Sequence, residues 1–221
     1  MPDPDQIKPL GALDDEDLDG LTNDGIETLQ PAPDEALHHV GLPHDLSLIG
    51  RMDARASALL DRWRGREPYD RVFYAATELG DFGLIWLLIG SVKALRSDRD
   101  IQRAIRLFTL LGIESVVING MVKSLFKRER PVVQTDRPYH IRIPLTTSFP
   151  SGHSSSAMLA SFLLSEDSRF APAYFGMGIL VATSRVYVRI HHPSDVIGGL
   201  AVGAALGIVA RKLWPIPRPQ R

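Results

Sequence analysis

Five apolar stretches dominate the second part of this 221-residue chain: 82–95 (with an apolar extension at 73–76), 107–126, 154–164, 171–188 and 193–214. A helix that crosses a bilayer needs about 20 mostly apolar residues. The second and fifth stretches reach that length, the fourth nearly does, and the first and third are shorter. The pattern predicts an all-α, polytopic membrane helix bundle with about five transmembrane helices plus an N-terminal amphipathic helix. A soluble all-α bundle is the alternative, because short apolar helices also form soluble cores.

Charge divides the chain into regions. The chain has 25 Lys+Arg and 26 Asp+Glu, yet residues 1–50 hold twelve acids and one base, Lys8. Residues 1–44 combine these acids with prolines and no apolar period, which predicts a disordered acidic tail. Residues 45–70 predict an amphipathic helix with a basic face, which can lie on an anionic membrane surface or pack on its own protein. Residues 71–214 form the expected membrane-embedded domain, followed by a basic tail at 215–221.

The sequence also excludes several classes of site. No cysteine is present, so a disulfide framework, a thiol nucleophile and a thiolate metal site are excluded. The N-terminus lacks a basic region followed by an apolar core, and no cleaved signal peptide is expected. We expect no metal, no cofactor and no nucleic-acid partner. The oligomeric state does not follow from the sequence.

Polar residues with catalytic potential gather where apolar stretches end or begin. They form three groups: Lys123 with Arg130 and Pro131; Pro150, Ser151, Gly152 and His153; and Ser184, Arg185, His191 and Asp195. If successive helices run up and down, the end of the second stretch, the start of the third, the end of the fourth and the start of the fifth lie on one side. The pattern therefore predicts that three separate pieces of chain form one pocket.

The first chemical property of this pocket is affinity for an anion. Lys123, Arg130 and Arg185 supply three cations, and an Arg guanidinium matches the oxygens of phosphate. Ser151 and Gly152 open a helix, where free backbone N–H groups and the helix dipole favour an anion. For any one of these cations alone, a place at the membrane interface is the simpler explanation. Together they predict a phosphate site.

The second property is nucleophilic chemistry. His191 and Asp195 are four residues apart, and a carboxylate on one ring nitrogen leaves the other free to attack. His191 is the candidate nucleophile on phosphorus, and His153 can protonate the leaving oxygen and later activate water. Asp195 alone is more typical of a first-turn capping acid, and it can serve in both ways. His192 is expected to be structural, and Arg128 is expected to be solvated.

The combined pattern Lys-x6-Arg-Pro, Pro-Ser-Gly-His and Ser-Arg-x5-His-x3-Asp resembles the signature of the type 2 phosphatidic acid phosphatase family, whose soluble relatives are vanadium haloperoxidases. The resemblance covers roughly residues 70–213. It implies metal-independent hydrolysis of a lipid phosphate or diphosphate, with His191 as the nucleophile and His153 as the acid. It implies phosphate binding by a further set of residues: Lys123, Arg130, Ser151, Gly152 and Arg185. Many members have six helices, whereas five apolar stretches are visible here.

Alternatives remain for substrate and sidedness. Two substrate classes remain possible, because the motifs recognise only the phosphate. One is a glycerolipid phosphate, and the other is a polyprenyl (undecaprenyl- or decaprenyl-type) phosphate or diphosphate of cell-envelope carrier recycling. A catalytically silent lipid-phosphate-binding membrane protein is an alternative of another class. Basic residues at 93–106 and 211–221 lie at the end opposite to the motifs. By the positive-inside rule this predicts an extracytoplasmic active site.

Overall fold

The structure, a computed structural model, describes residues 47–131, 138–144 and 146–216. Every regular element in these ranges is helical, which confirms the predicted all-α class. The helices are α1 (Leu48–Asp61), α2 (Glu67–Gly80), α3 (Leu84–Ala94), α4 (Asp98–Val116), α5 (Gly152–Ser165), α6 (Ala171–Tyr187) and α7 (Pro193–Leu213). The acidic tail and most of the basic C-terminal tail lie outside the described residues, so the domain boundaries stay predictions.

Within the described ranges, three helical segments are long and apolar enough to cross a membrane: Glu67–Ala94, Asp98–Leu125 and Pro193–Leu213. The first joins α2 and α3 through a 3-10 turn at Asp81–Gly83. The second extends α4 by a π-helical turn at Val117–Val122 and a 3-10 turn at Lys123–Leu125. The predicted membrane character of the chain is thereby supported.

The remaining two apolar stretches form shorter helices than a full crossing requires. α5 has 14 residues and α6 has 17. A 14-residue helix is about 21 Å long, less than the ~30 Å hydrocarbon thickness of a bilayer. α5 packs against α4, α6 and α7, so it is surrounded largely by protein. The expectation of about five spanning helices therefore corresponds to three full-length segments and two shorter ones.

Polar capping decides where several helices begin. The hydroxyls of Ser47, Ser97 and Ser151 each accept a hydrogen bond from the backbone N–H three residues later, at the starts of α1, α4 and α5. α4 thus begins at Asp98, well before the apolar stretch at 107, because a capped charged turn extends the helix beyond its apolar part. The predicted amphipathic helix is α1, and it ends at Asp61.

The closest packing in the bundle joins α5 to α7. A Cβ on Gly199 would lie 2.4 Å from the carbonyl oxygen of Ser151, and one on Gly203 would lie 2.2 Å from that of Ser155. Only a residue without a side chain allows this approach of two backbones. Consequently the start of α5 lies directly beside the start of α7, and Ser151 N donates to Asp195 O at 3.1 Å.

Candidate active site

The three predicted groups lie at the same end of the bundle. Besides the bond between Ser151 and Asp195, the Arg130 Nη1 atom donates to the carbonyl of Ile190 at 3.0 Å. The structure therefore brings together the chain after α4, the start of α5 and the connection between α6 and α7. These are the pieces that the alternating-helix argument placed on one side.

His191 is buried, and its two ring nitrogens face different surroundings. Nε2 lies 3.3 Å from Arg130 Nη1. Nδ1 lies 3.6 Å from Asp195 Oδ2 and 3.4 Å from Ser148 Oγ. With the proton on Nδ1, facing the carboxylate, the lone pair of Nε2 points toward the cation.

Burial lowers the pKa of His191 to about 3, and the cations Arg185 and Arg130 act in the same direction. Asp195 opposes them but does not outweigh the burial. The ring is consequently neutral at physiological pH. A neutral imidazole is the form that can act as a nucleophile.

Asp195 is fully buried in the first turn of α7 and accepts several hydrogen bonds. Its Oδ2 receives Ser148 Oγ at 2.5 Å and the backbone N–H of His192 at 2.8 Å. Its Oδ1 receives Arg128 Nη1 at 2.5 Å. Asp195 therefore occupies the capping position and the position beside His191 at the same time. His192 contributes backbone to this arrangement, in line with the structural role expected for it.

The cations gather around a loop residue that sequence reasoning did not single out. Lys123 Nζ donates to Thr146 Oγ1 at 3.2 Å. Arg130 donates from Nε to Thr146 O at 3.1 Å and from Nη2 to Thr146 Oγ1 at 3.4 Å. Arg185 is fully buried and donates from Nη1 to Thr77 Oγ1 on α2 at 2.8 Å. Two of the three predicted phosphate-binding cations thus converge on Thr146, and the third, Arg185, contacts α2 from its place on α6.

The start of α5 contributes the second group. Ser151 caps the helix, and a Cβ on Gly152 would lie 3.2 Å from Asn119 Oδ1. His153 is the second residue of the helix, and its Nε2 lies 2.8 Å from Oδ1 of Asp81, in the turn between α2 and α3. All the predicted site residues are therefore described by the structure, and all lie at this end of the bundle.

The structure contradicts the prediction that Arg128 is solvated. Its guanidinium contacts Asp195 through Nη1 and Asp53 Oδ2 on α1 through Nη2, at 2.6 Å. Asp53 in turn accepts the backbone N–H of Ser194 at 2.7 Å. Arg128 is attracted by two buried carboxylates that are distant in sequence. No spacing rule links residues 53, 128 and 195, and only the tertiary fold does.

Other contributors were also missed by sequence reasoning, namely Thr77, Asp81, Thr146 and Ser148. Thr146 and Ser148 lie in an irregular loop, where hydroxyl residues carry no periodic signal, and Thr77 and Asp81 belong to no motif. In the described ranges, no group of three or more His, Asp or Glu residues could hold a metal ion. The arrangement can instead hold an anion among fixed cations beside a neutral imidazole.

Comparison with known proteins identifies relatives that are phosphatases by name. The chain is 29% identical over 170 residues to decaprenylphosphoryl-5-phosphoribose phosphatase of Mycobacterium tuberculosis, covering 73% of this chain and 87% of the relative. It is 30% identical over 113 residues to undecaprenyl-diphosphatase BcrC of Bacillus subtilis, covering 50% and 58%. These relatives are named phosphatases, and the predicted enzyme class is confirmed.

A solved structure supports the fold. The first transmembrane PAP2-type phosphatidylglycerolphosphate phosphatase from Bacillus subtilis aligns with a TM-score of 0.61 at 23% identity. The alignment covers 80% of this chain and 91% of that structure. The likeness extends over most of both chains and shows a shared membrane helix bundle.

The family model described as the PAP2 superfamily matches residues 103–217, slightly more than half of the chain. That range contains all three motif groups and the helices that carry them. With its ordered motifs, its fold and its relatives in agreement, the chain belongs to the PAP2 superfamily.

Proposed function

We propose that this membrane phosphatase hydrolyses a lipid phosphate or diphosphate through a phosphohistidine on His191. Nε2 of His191 forms a bond to phosphorus while the bond from phosphorus to the leaving oxygen breaks, and protonated His153 gives its proton to that oxygen. Water then attacks the phosphohistidine, His153 takes the proton from water, and inorganic phosphate leaves. Lys123, Arg130, Ser151, Gly152 and Arg185 hold the phosphoryl group in both steps.

The single observation that carries this proposal is the asymmetry of the His191 ring. Nδ1 lies on the side of Asp195, and Nε2 lies 3.3 Å from a guanidinium nitrogen of Arg130. An anion drawn to that guanidinium meets the nitrogen that carries the lone pair. The Asp195 charge can stabilise the positive ring that forms on attack. Fixed cations take the place that a divalent metal occupies in other phosphatases, so we propose a metal-independent reaction.

The substrate class is a second part of the proposal. Two relatives act, by name, on decaprenylphosphoryl-5-phosphoribose and on undecaprenyl diphosphate. These names favour a polyprenyl phosphate or diphosphate over a glycerolipid phosphate. We therefore propose a polyprenyl substrate, with a glycerolipid phosphate as the second candidate.

The proposed side of the membrane follows from charge. Basic side chains gather at the end opposite to His191, at the end of α3, in the α3–α4 connection, in the first half of α4 and at the end of α7: Lys93, Arg96, Arg99, Arg103, Arg106, Arg211 and Lys212. An excess of Lys and Arg marks the cytoplasmic side of a membrane protein. We therefore propose that the active site faces the extracytoplasmic side.

The test is phosphate release by purified full-length protein in detergent from a panel of substrates. The panel holds decaprenylphosphoryl-5-phosphoribose, undecaprenyl diphosphate, phosphatidic acid and phosphatidylglycerolphosphate. We expect His191→Ala to abolish release, while His192→Ala, a matched change of the neighbouring ring, stays within a few-fold of wild type. Binding of these lipids without any release by the wild-type protein would favour the catalytically silent alternative.

A further inference from the structure

The apolar segment Glu67–Ala94 is interrupted near its middle. α2 ends at Gly80 and α3 begins at Leu84, and between them Phe82 has φ 53° and Gly83 has φ 69°. A left-handed conformation at a residue such as Phe is strained and persists only where the surroundings hold it. Within a membrane segment, broken helices are tolerated where they are covered by protein or line a cavity. The break therefore needs an explanation in the residues that surround it.

The break is shaped around the ring of His153. A Cβ on Gly80 would lie 2.8 Å from Cδ2 of His153, so the last residue of α2 packs directly on the imidazole. The next residue, Asp81, places Oδ1 2.8 Å from Nε2 of the same ring. The break thus brings both a backbone surface and a carboxylate to one histidine.

The other charged groups that act on His153 are cations. Burial is the largest effect that lowers the pKa of His153, and Arg185, from α6, and Lys123, from the end of α4, lower it further. Asp81 is the anion that faces them, and it favours the positive ring. Arg142 is a further cation that acts on Asp81. A histidine that must carry a proton among phosphate-binding cations needs such a carboxylate.

We propose that Asp81 is a positioning residue for His153, which makes a second histidine–carboxylate pair beside that of His191 and Asp195. This inference rests on the proposed function. Asp81 lies outside residues 103–217, the part matched by the family model, and no motif contains it. Asp81 forms an ion pair with Nε2 of the protonated ring and holds the ring in place, which leaves Nδ1 to exchange a proton with substrate. Protonated His153 gives the Nδ1 proton to the leaving oxygen, and neutral Nδ1 then takes a proton from the attacking water.

The pairing makes a prediction that a purely structural role does not. For a lipid phosphate, whose alkoxide leaving group needs a proton, Asp81→Asn should lower kcat about 10- to 100-fold, within the range of general acid catalysis. For p-nitrophenyl phosphate, whose leaving group needs none, the first-turnover burst should stay within about threefold. The alkaline limb of kcat/KM for the lipid should move to lower pH by about one unit, because the ring has lost its anion. Asp81→Glu, which keeps the carboxylate, should recover part of the loss.

Two controls separate this effect from general damage. Glu78→Gln removes an exposed carboxylate one turn earlier on α2 and should behave as wild type. In a His153→Gln background, adding Asp81→Asn should lower kcat for the lipid phosphate by less than a further twofold or so, because the two residues act as a unit. The pairing would be overturned if Asp81→Asn lowered the rate equally for both substrates, or if the alkaline limb of kcat/KM did not move. It would also be overturned if the effects of Asp81→Asn and His153→Gln on kcat were fully additive.

A measurement without turnover keeps this inference separate from the proposed function. Histidine imidazole 15N signals of the full chain, with His153 assigned through His153→Gln, report the ring protonation directly. We expect Asp81→Asn to move the His153 titration by about one pH unit, whereas an unchanged titration overturns the pairing. If wild-type protein releases no phosphate from any substrate, the proposed function fails, and the titration still decides whether Asp81 and His153 are paired.

Discussion

The exchange of Asp195 for Asn separates the charge of this side chain from its place in the helix cap. Its carboxylate receives Ser148 Oγ at 2.5 Å and His192 N at 2.8 Å on one oxygen, and Arg128 Nη1 at 2.5 Å on the other. An Asn amide accepts on one side only, so its NH2 group faces a donor in either orientation. A buried donor is then left unpaired, at a cost of about 1–3 kcal/mol. For a chain of this size, each kcal/mol lowers the melting temperature by about 2–4 °C.

The effect on turnover should be larger than the effect on stability. As Nε2 of His191 bonds to phosphorus, the ring becomes positive, and the neutral Asn no longer stabilises that charge. In the serine-protease triad the corresponding change costs about 10⁴ in kcat. We expect a loss of at least about 10² here, by the same logic.

The matched control is Ser148→Ala, which removes one donor to Asp195 and keeps the negative charge. It should lower the melting temperature to a similar extent and turnover less than about 10-fold. Both variants are measured in detergent, by phosphate release and by thermal unfolding. If Asp195→Asn retained near-normal turnover, or if the two variants lost turnover equally, the charge of Asp195 would have no part in catalysis.

Three further predictions concern metal, pH and Arg128. Activity should persist in excess chelator and be inhibited by vanadate, which resembles five-coordinate phosphorus, and a strict Mg²⁺ requirement would contradict the cation-based site. Because burial lowers the pKa of His191 to about 3, its contribution to stability is complete above the unfolded value near 6.5 and is lost as pH falls toward 3. Chemical unfolding at pH 7.5 and pH 5 measures this: the His191 ring should change the free energy of unfolding by at most about 1.4 kcal/mol per pH unit. The His191→Gln variant should lack this contribution. Arg128→Gln should lower kcat about 10-fold through misplacement of Asp195, whereas Arg189→Gln, which breaks the more exposed pair with Asp61, should leave kcat unchanged.

The sequence was sufficient for those parts of the site that local spacing defines. His191 and Asp195 are four apart across a helix start, and Lys123 and Arg130 flank the end of an apolar stretch. In such cases secondary structure alone brings the residues near each other. Their assembly into one pocket followed from the alternation of helix directions.

The parts that sequence reasoning missed depend on tertiary contacts. Asp81 meets His153 only because α2 and α3 break beside α5, and Arg128 meets Asp53 only because α1 lies against the start of α7. Hydropathy likewise reports apolar length and not helix bounds. It therefore missed the charged first turns of α4 and could not separate the short α5 from a full crossing.

The central claim is that His191 carries the phosphoryl group. Rapid-quench labelling of the full-length wild-type protein with a substrate labelled in its terminal phosphate tests it most directly. We predict an acid-labile, base-stable label on the peptide that contains His191, absent in His191→Ala and present in His192→Ala. A turnover-competent protein that accumulates no such label under conditions that slow its hydrolysis, or that carries the label on another residue, would contradict this mechanism.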